Sequence, residues 1–309
     1  MKRFLKTILL FLIPVVVALG LLEYGMRNVP NDYSYKCRWL DHHISDVSVW
    51  IFGSSHALYG INPNLLSLQA FNSAHPSQTL HYDAFIFDKY IDCAANLKWV
   101  ILPVSYFTFT DRLENSEEWW RIKNYCLYYD CPEYKWQPEF HSEVLGNPLP
   151  YHKQIVRIGK YLIYRKSDLA CDSLGFRNEY TKSKRTADWT KNGPVRVQTN
   201  TKDLSDARDI IEENARHLEA IVQACEARNI NILLVTTPVS RAFYECMDSA
   251  QYALTVETAE KITAVHSNVH YMNLLKDARF TDDDFFDADH LELDGAAKLT
   301  KIIDGYISE

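Results

Sequence analysis

Five short apolar runs, each cut off by glycine, proline or a small polar residue, constrain this chain more than any other feature. The first, residues 47–52, stops at Gly53-Ser54-Ser55-His56. The second is Ala70-Phe71-Asn72, followed by Ser73-Ala74-His75-Pro76. Residues 99–104, 231–238 and 269–274 complete the set, with Pro103 and Pro238 marking two of the ends. Between them lie helical patterns over residues 79–94, 205–228 and 250–265. A last helix opens at Asp294-Gly295-Ala296-Ala297, where Asp294 is the expected N-cap. Strands alternating with helices imply a parallel sheet covered on both faces. In such sheets functional residues gather at the carboxyl ends of the strands.

Residues 110–204 break this alternation. They are rich in aromatics, including Trp119, Trp120, Tyr125, Tyr128, Tyr129, Tyr134, Trp136 and Phe140. A stretch this long needs short elements of its own and reads as an insertion over the main domain. Packing is the simplest use of its rings, with a sugar-stacking or lid surface as the functional alternative.

The N-terminus bears on the compartment. Met1-Lys2-Arg3 precedes an uncharged run from Thr7 to Leu22, and charge resumes at Glu23 and Arg27. Such a run nearly spans a ~30 Å hydrocarbon core. It reads as a retained anchor over residues 1–27, or as a signal peptide cut near Ala18-Leu19-Gly20. The lack of a polar region before that site favours the anchor. Basic residues ahead of the run place residues 28–309 outside the cytoplasm. With 33 Lys and Arg against 40 Asp and Glu, the net charge is -7, which disfavours a nucleic-acid partner. Seven cysteines leave at least one outside any internal pairing. Cys126 and Cys131 are spaced to bridge a short loop, while Cys225 sits in a helical pattern and reads as a buried thiol. No CxxC pair or Cys/His cluster at zinc spacing occurs, so no structural metal is expected. Asp282-Asp283-Asp284 lacks the spacing of a calcium loop and reads as a solvated acidic turn.

Chemistry concentrates at two strand-end loops. A serine on the tight Gly53-Ser54-Ser55-His56 turn can present its hydroxyl and its own N–H to a cleft, as acyl transfer requires. Near the C-terminus, Asp287 and His290 lie three apart, so one turn of backbone can set carboxylate beside imidazole. The carboxylate would accept the Nδ1 proton and leave Nε2 as a general base. Asp289 is an alternative carboxylate. His56 and His75 lie on strand-end loops as pocket candidates, and Thr236-Thr237-Pro238 borders the same edge.

These blocks resemble the SGNH (GDSL-like) hydrolase superfamily, in particular its membrane-anchored branch related to alginate O-acetylation and D-alanyl-teichoic-acid transfer proteins. The resemblance covers roughly residues 45–110 and 205–309. It implies a three-layer α/β/α sandwich with a parallel five-stranded, flavodoxin-like sheet. It makes Ser55 the nucleophile and Asp287 and His290 its partners. The second block falls on Asn72-Ser73-Ala74, with Ala74 in place of glycine and its N–H as an oxyanion donor. The third block falls on Val104-Ser105-Tyr106, which has neither the expected glycine nor the asparagine; Ser105 or Asn214 is the replacement donor to look for. The implied function is a serine esterase or O-acyltransferase needing no metal or organic cofactor. Its substrate would be an acylated envelope polysaccharide, with envelope acyl-transfer proteins as partners. The missing third-block residues support the other reading, a non-catalytic envelope binding or assembly protein.

Overall fold

The computed structural model describes residues 1–308, apart from the side chains at positions 2, 5 and 9. Five strands, β1 (Val49–Ile51), β2 (Ala70–Asn72), β3 (Trp99–Pro103), β4 (Asn231–Thr236) and β5 (Val269–Asn273), form one sheet in the order β2-β1-β3-β4-β5. Every pairing is parallel, with Val49 opposite both Ala70 and Trp99, Trp99 opposite Asn231, and Ile232 opposite Val269. The helices are α1 (Lys2–Arg27), α2 (Asp32–His43), α3 (Ser55–Gly60), α4 (Leu80–Tyr90), α5 (Ile122–Tyr128) and α6 (Tyr151–Tyr164). They continue with α7 (Gly193–Asn200), α8 (Arg208–Glu226), α9 (Arg241–Tyr244), α10 (Ser249–Val265) and α11 (Leu293–Ile307).

The chain forms two compact units, one of residues 38–116 and 170–308 that holds the sheet, and one of residues 1–37 and 117–169. In the sheet unit, alternate strand residues point to opposite faces. Val49, Ile51, Ile101, Leu233 and Val235 pack with Leu58 of α3 and Leu299, Ile303 and Ile307 of α11. On the other face Trp50 meets Phe87 and Tyr90 of α4, at ring-centroid distances of 6.0 and 6.5 Å. Its indole N–H donates to Ser73 Oγ at 2.6 Å. Trp50 is fully buried, and a large side chain so placed contributes about 1.5–3 kcal/mol. Helices on both faces of a parallel sheet give the α/β sandwich that the strand pattern implied. The N-cap of α11 is not Asp294 but Glu292, whose carboxylate accepts the N–H groups of Asp294 and Gly295 at 2.7 and 3.1 Å.

Residues 110–204 are not one insertion. Residues 117–169 cluster with the N-terminus, whereas residues 170–204 belong to the sheet unit. The aromatics that stand out between Trp119 and Phe140 thus serve the first unit. There Tyr125 meets Tyr33 edge-on at 5.3 Å, and Tyr134 meets Phe140 at 4.9 Å. Lys123 and Glu143 form a buried ion pair at 2.6 Å, and Tyr128 donates to the same carboxylate at 2.6 Å. Within α1, residues 6–27 are long and apolar enough to cross a membrane, a property that anchors and signal sequences share. The end of α1 also belongs to the core of this unit: Met26 is fully buried. Glu23 accepts hydrogen bonds from Ser142 Oγ and from the N–H groups of Glu143 and Val144, at 2.7, 3.0 and 2.9 Å. Cys126 and Cys131 are neighbours, both as thiols, and the hydrogen bond to Cys131 together with burial raises the Cys126 pKa.

Candidate active site

The turn after β1 places Ser55. Gly53 has φ +109°, a conformation that side chains strain, and a Cβ there would lie 3.2 Å from Pro103 Cδ. Its N–H donates to Asp83 Oδ1 at 2.9 Å, and its carbonyl accepts the His75 N–H at 3.3 Å. Ser54 is the N-cap of α3 and Ser55 its first residue, the one position between Phe52 and Gly60 that is half-buried while its neighbours are buried. Asp83 also accepts Gln78 Nε2 at 2.6 Å. No cation offsets its burial, so its pKa is pushed up to about 7. Behind this turn, Gly53, Gln78, Asp83, Thr108 and Asp111 line a cavity of about 20 Å³, room for one water. Burial pushes Asp111 up to about 6, against the pull of Lys202.

The opposite loop is pinned from several sides. Asp287 Oδ1 accepts the backbone N–H groups of Asp289 and His290 at 3.1 and 2.9 Å, a local turn that the Asp-x-x-His spacing permits. Phe286 N–H donates to the His290 carbonyl at 2.8 Å, and Ser240 Oγ donates to the Ala288 carbonyl at 2.7 Å. The result is a hydrogen-bonded chain. His290 Nε2 is 2.7 Å from Ser55 Oγ, and its Nδ1 is 2.9 and 3.0 Å from the two oxygens of Asp287. Asp289 Oδ1 stands farther from that nitrogen, at 3.5 Å. Burial alone would lower the His290 pKa, but Asp289 and Asp287 outweigh it and the net shift is upward.

A second chain runs beside the first. Ser105 Oγ is 2.6 Å from His56 Nδ1, and His56 Nε2 is 3.3 Å from Asp289 Oδ2. Arg196 of α7 completes it, clamping both oxygens of Asp289, one of them at 2.9 Å. Burial holds His56 below its ordinary pKa despite Asp289. A neutral His56 that donates from Nε2 to Asp289 accepts at Nδ1 from the Ser105 hydroxyl. Burial would raise Asp289, but His290, His56 and Arg196 together keep it well below the usual carboxylate range. The two imidazoles lie 5.2 Å apart. Tyr180 is sandwiched between Tyr59 and Phe286 at 3.8 and 4.0 Å, and the edge of this stack meets His290.

Three expected oxyanion donors are engaged elsewhere. The Ala74 N–H donates to Asn72 Oδ1 at 3.0 Å, while Asn72 Nδ2 ties down the carbonyls of Ala57 and Ile61. Ser105 holds His56. Asn214 donates to the carbonyls of Phe109 and Asp111 at 3.1 and 2.9 Å, so it braces a loop instead of facing Ser55. His75 is fully buried beneath the turn. Arg196 and Tyr180 escaped the sequence reading because nothing local marks them; Arg196 reaches Asp289 across 93 positions. Asp284, expected to be solvated, is buried and paired with Lys298 at 2.6 Å. Among the described residues, two side-chain clusters have ligand atoms close enough for one metal ion: His56, Asp289 and His290 in this site, and His81, Glu213 and His217 on α4 and α8.

No protein-family model and no curated protein matches this chain. Among solved structures it is similar to one described as "a putative platelet activating factor from Streptococcus pneumonia", at 13% identity and a TM-score of 0.44. That likeness covers 94% of this chain and 99% of the other. At this level it adds nothing to the reading of the site.

Proposed function

We infer that the chain is a serine esterase or O-acyltransferase of the SGNH type, anchored by α1 and facing the periplasm or cell exterior. Its substrates would be acyl esters of an envelope or extracellular polysaccharide. The observation that carries this reading is the continuous Ser55–His290–Asp287 chain at 2.7 and 2.9 Å. His290 takes the Ser55 proton on Nε2 as Oγ attacks the ester carbonyl, and Asp287 stabilises the resulting imidazolium. Collapse of the tetrahedral intermediate breaks the ester C–O bond, and His290 returns the proton to the departing alkoxide. A sugar hydroxyl or water then attacks the acyl-serine, with His290 again taking the proton; the bond from the acyl carbon to Ser55 Oγ breaks and His290 returns the proton to that oxygen. The Ser55 N–H, at the first turn of α3, is the donor assigned to the oxyanion. The SGNH assignment rests on the sequence blocks at Ser55 and at Asp287 with His290.

The engagement of Ala74, Ser105 and Asn214 favours a second reading, a non-catalytic envelope protein on the same fold. One lost oxyanion donor costs about 10²–10³ in rate, so even the catalytic reading expects slow turnover. A fluorophosphonate probe separates the two. Stoichiometric labelling of the full chain, lost in Ser55→Ala with an unchanged circular dichroism spectrum, supports catalysis. An unlabelled, folded wild-type chain sinks it.

A further inference from the structure

We propose that α6 lies in the headgroup layer of the bilayer crossed by α1, with its basic flank on anionic lipid. The proposal rests on α1 being a membrane span. Tyr151, Ile155 and Leu162 repeat along one stripe of α6, with Val156 and Ile163 beside it, and all five side chains are more than half exposed. So large an apolar face is unusual in water. The same stripe includes Ile158, which packs on α1 so closely that a Cβ at Gly25 would lie 2.7 Å from its Cδ1. The membrane-length helix and the exposed stripe therefore meet at the end of α1 that follows the apolar run. On the opposite face of α6, Lys153, Arg157 and Lys160, with Lys166 beyond the helix, line a groove of about 570 Å³ whose single carboxylate, Asp168, is ion-paired with Arg157. With Arg157 and Asp168 matched, three lysines are left to suit a phosphate headgroup, and the apolar stripe on the other face suits the acyl chains below it.

The test uses the full chain in vesicles of equal parts phosphatidylglycerol and phosphatidylcholine, with a trace of lipid carrying a photoreactive group in its acyl chain. Adducts mapped by mass spectrometry should fall on both α1 and α6. Adducts on α1 alone overturn the proposal and leave the anchor reading intact; their absence from α1 sinks both. Changing Lys153, Lys160 and Lys166 together to Gln should cut α6 labelling at least about fivefold, with α1 labelling unchanged. Undiminished α6 labelling in that variant, or equal labelling in pure phosphatidylcholine, overturns the headgroup assignment.

We also infer a site for a borderline divalent cation between α4 and α8. His81 Nδ1 and His217 Nε2 stand 3.3 Å apart, and Glu213 Oε1 is 3.6 Å from the latter. Two nitrogens bound tetrahedrally to zinc are separated by about 3.3 Å. Glu213 and His217 are one helical turn apart, and Arg112 holds the other Glu213 oxygen. The site evades a spacing search because His81 lies 136 positions from His217. The full chain titrated with Co²⁺ should develop tetrahedral absorption bands. His81→Ala or Glu213→Gln should weaken binding at least about 100-fold, more than loss of an outer-shell partner does. Bands that persist in both variants, bands that vanish instead in His56→Ala, or no bands at all would overturn the assignment.

Discussion

Asp83 and Asp289 are both buried carboxylates, and their surroundings send them in opposite directions. Asp289 has two imidazoles and a guanidinium around it and stays ionised. Asp83 has only neutral donors and is pushed up to about 7. The folded state therefore holds a proton on Asp83 that the unfolded chain releases near pH 4, and stability falls as pH rises from about 4 to about 7. In Asp83→Asn the retained oxygen can still accept from Gly53 and Gln78. The variant should gain roughly 2–3 kcal/mol on wild type between about pH 5 and about pH 8, read from urea unfolding at each pH. An unchanged difference would mean that Asp83 is ionised throughout. The raised pKa of His290 gives a second residue-level expectation. Because the base must be neutral, ester hydrolysis should fall on acidification through a value above 6.5, the histidine reference. Asp287→Asn should lower the rate about 10³–10⁴-fold. A flat pH profile over that range would rule out His290 as the base.

At the scale of elements, α7 contributes a positioning residue to a site otherwise built from strand-end loops. Arg196 depresses the His290 pKa as well as balancing Asp289. Arg196→Gln should therefore move the acid limb of the pH–rate profile upward, whereas a merely structural role would lower activity at every pH without moving the limb. This element also marks where the sequence stopped being readable. Strands β1, β3 and β4 were legible because a buried parallel strand is largely apolar, and β2 falls on the expected residues. The Asp287/His290 pair was legible because both groups sit on one turn. Arg196 and Tyr180 were not, because they reach the site through tertiary packing. The expected roles of Ala74 and Asn214 assumed unspent hydrogen-bonding capacity. The neighbouring carbonyls and the Asn72 side chain consume it, and no spacing rule shows that.

For the whole molecule, the sequence reading ended the anchor at Arg27 and began the exported part at Asn28. The structure places Met26 and the contacts of Glu23 inside the first unit, so a chain starting at Asn28 removes part of that unit's core. It should lose cooperativity and melt several degrees below a chain starting near Leu21, with the first unit affected more than the sheet unit. Differential scanning calorimetry of both chains checks this, and coincident melts would show that the end of α1 is dispensable.

The clamp of Arg196 on Asp289 joins two equilibria. Whenever α7 undocks, a buried anion loses one of the charges that balance it, so proton uptake by the Asp289–His290 pair becomes easier. Each docking event must then expel whatever proton was taken up, and acidification favours the undocked state. The protonation of His290 would thus report how often a helix remote from it in sequence is in place, and a ligand that holds α7 down would set the ionisation of the site without touching His290.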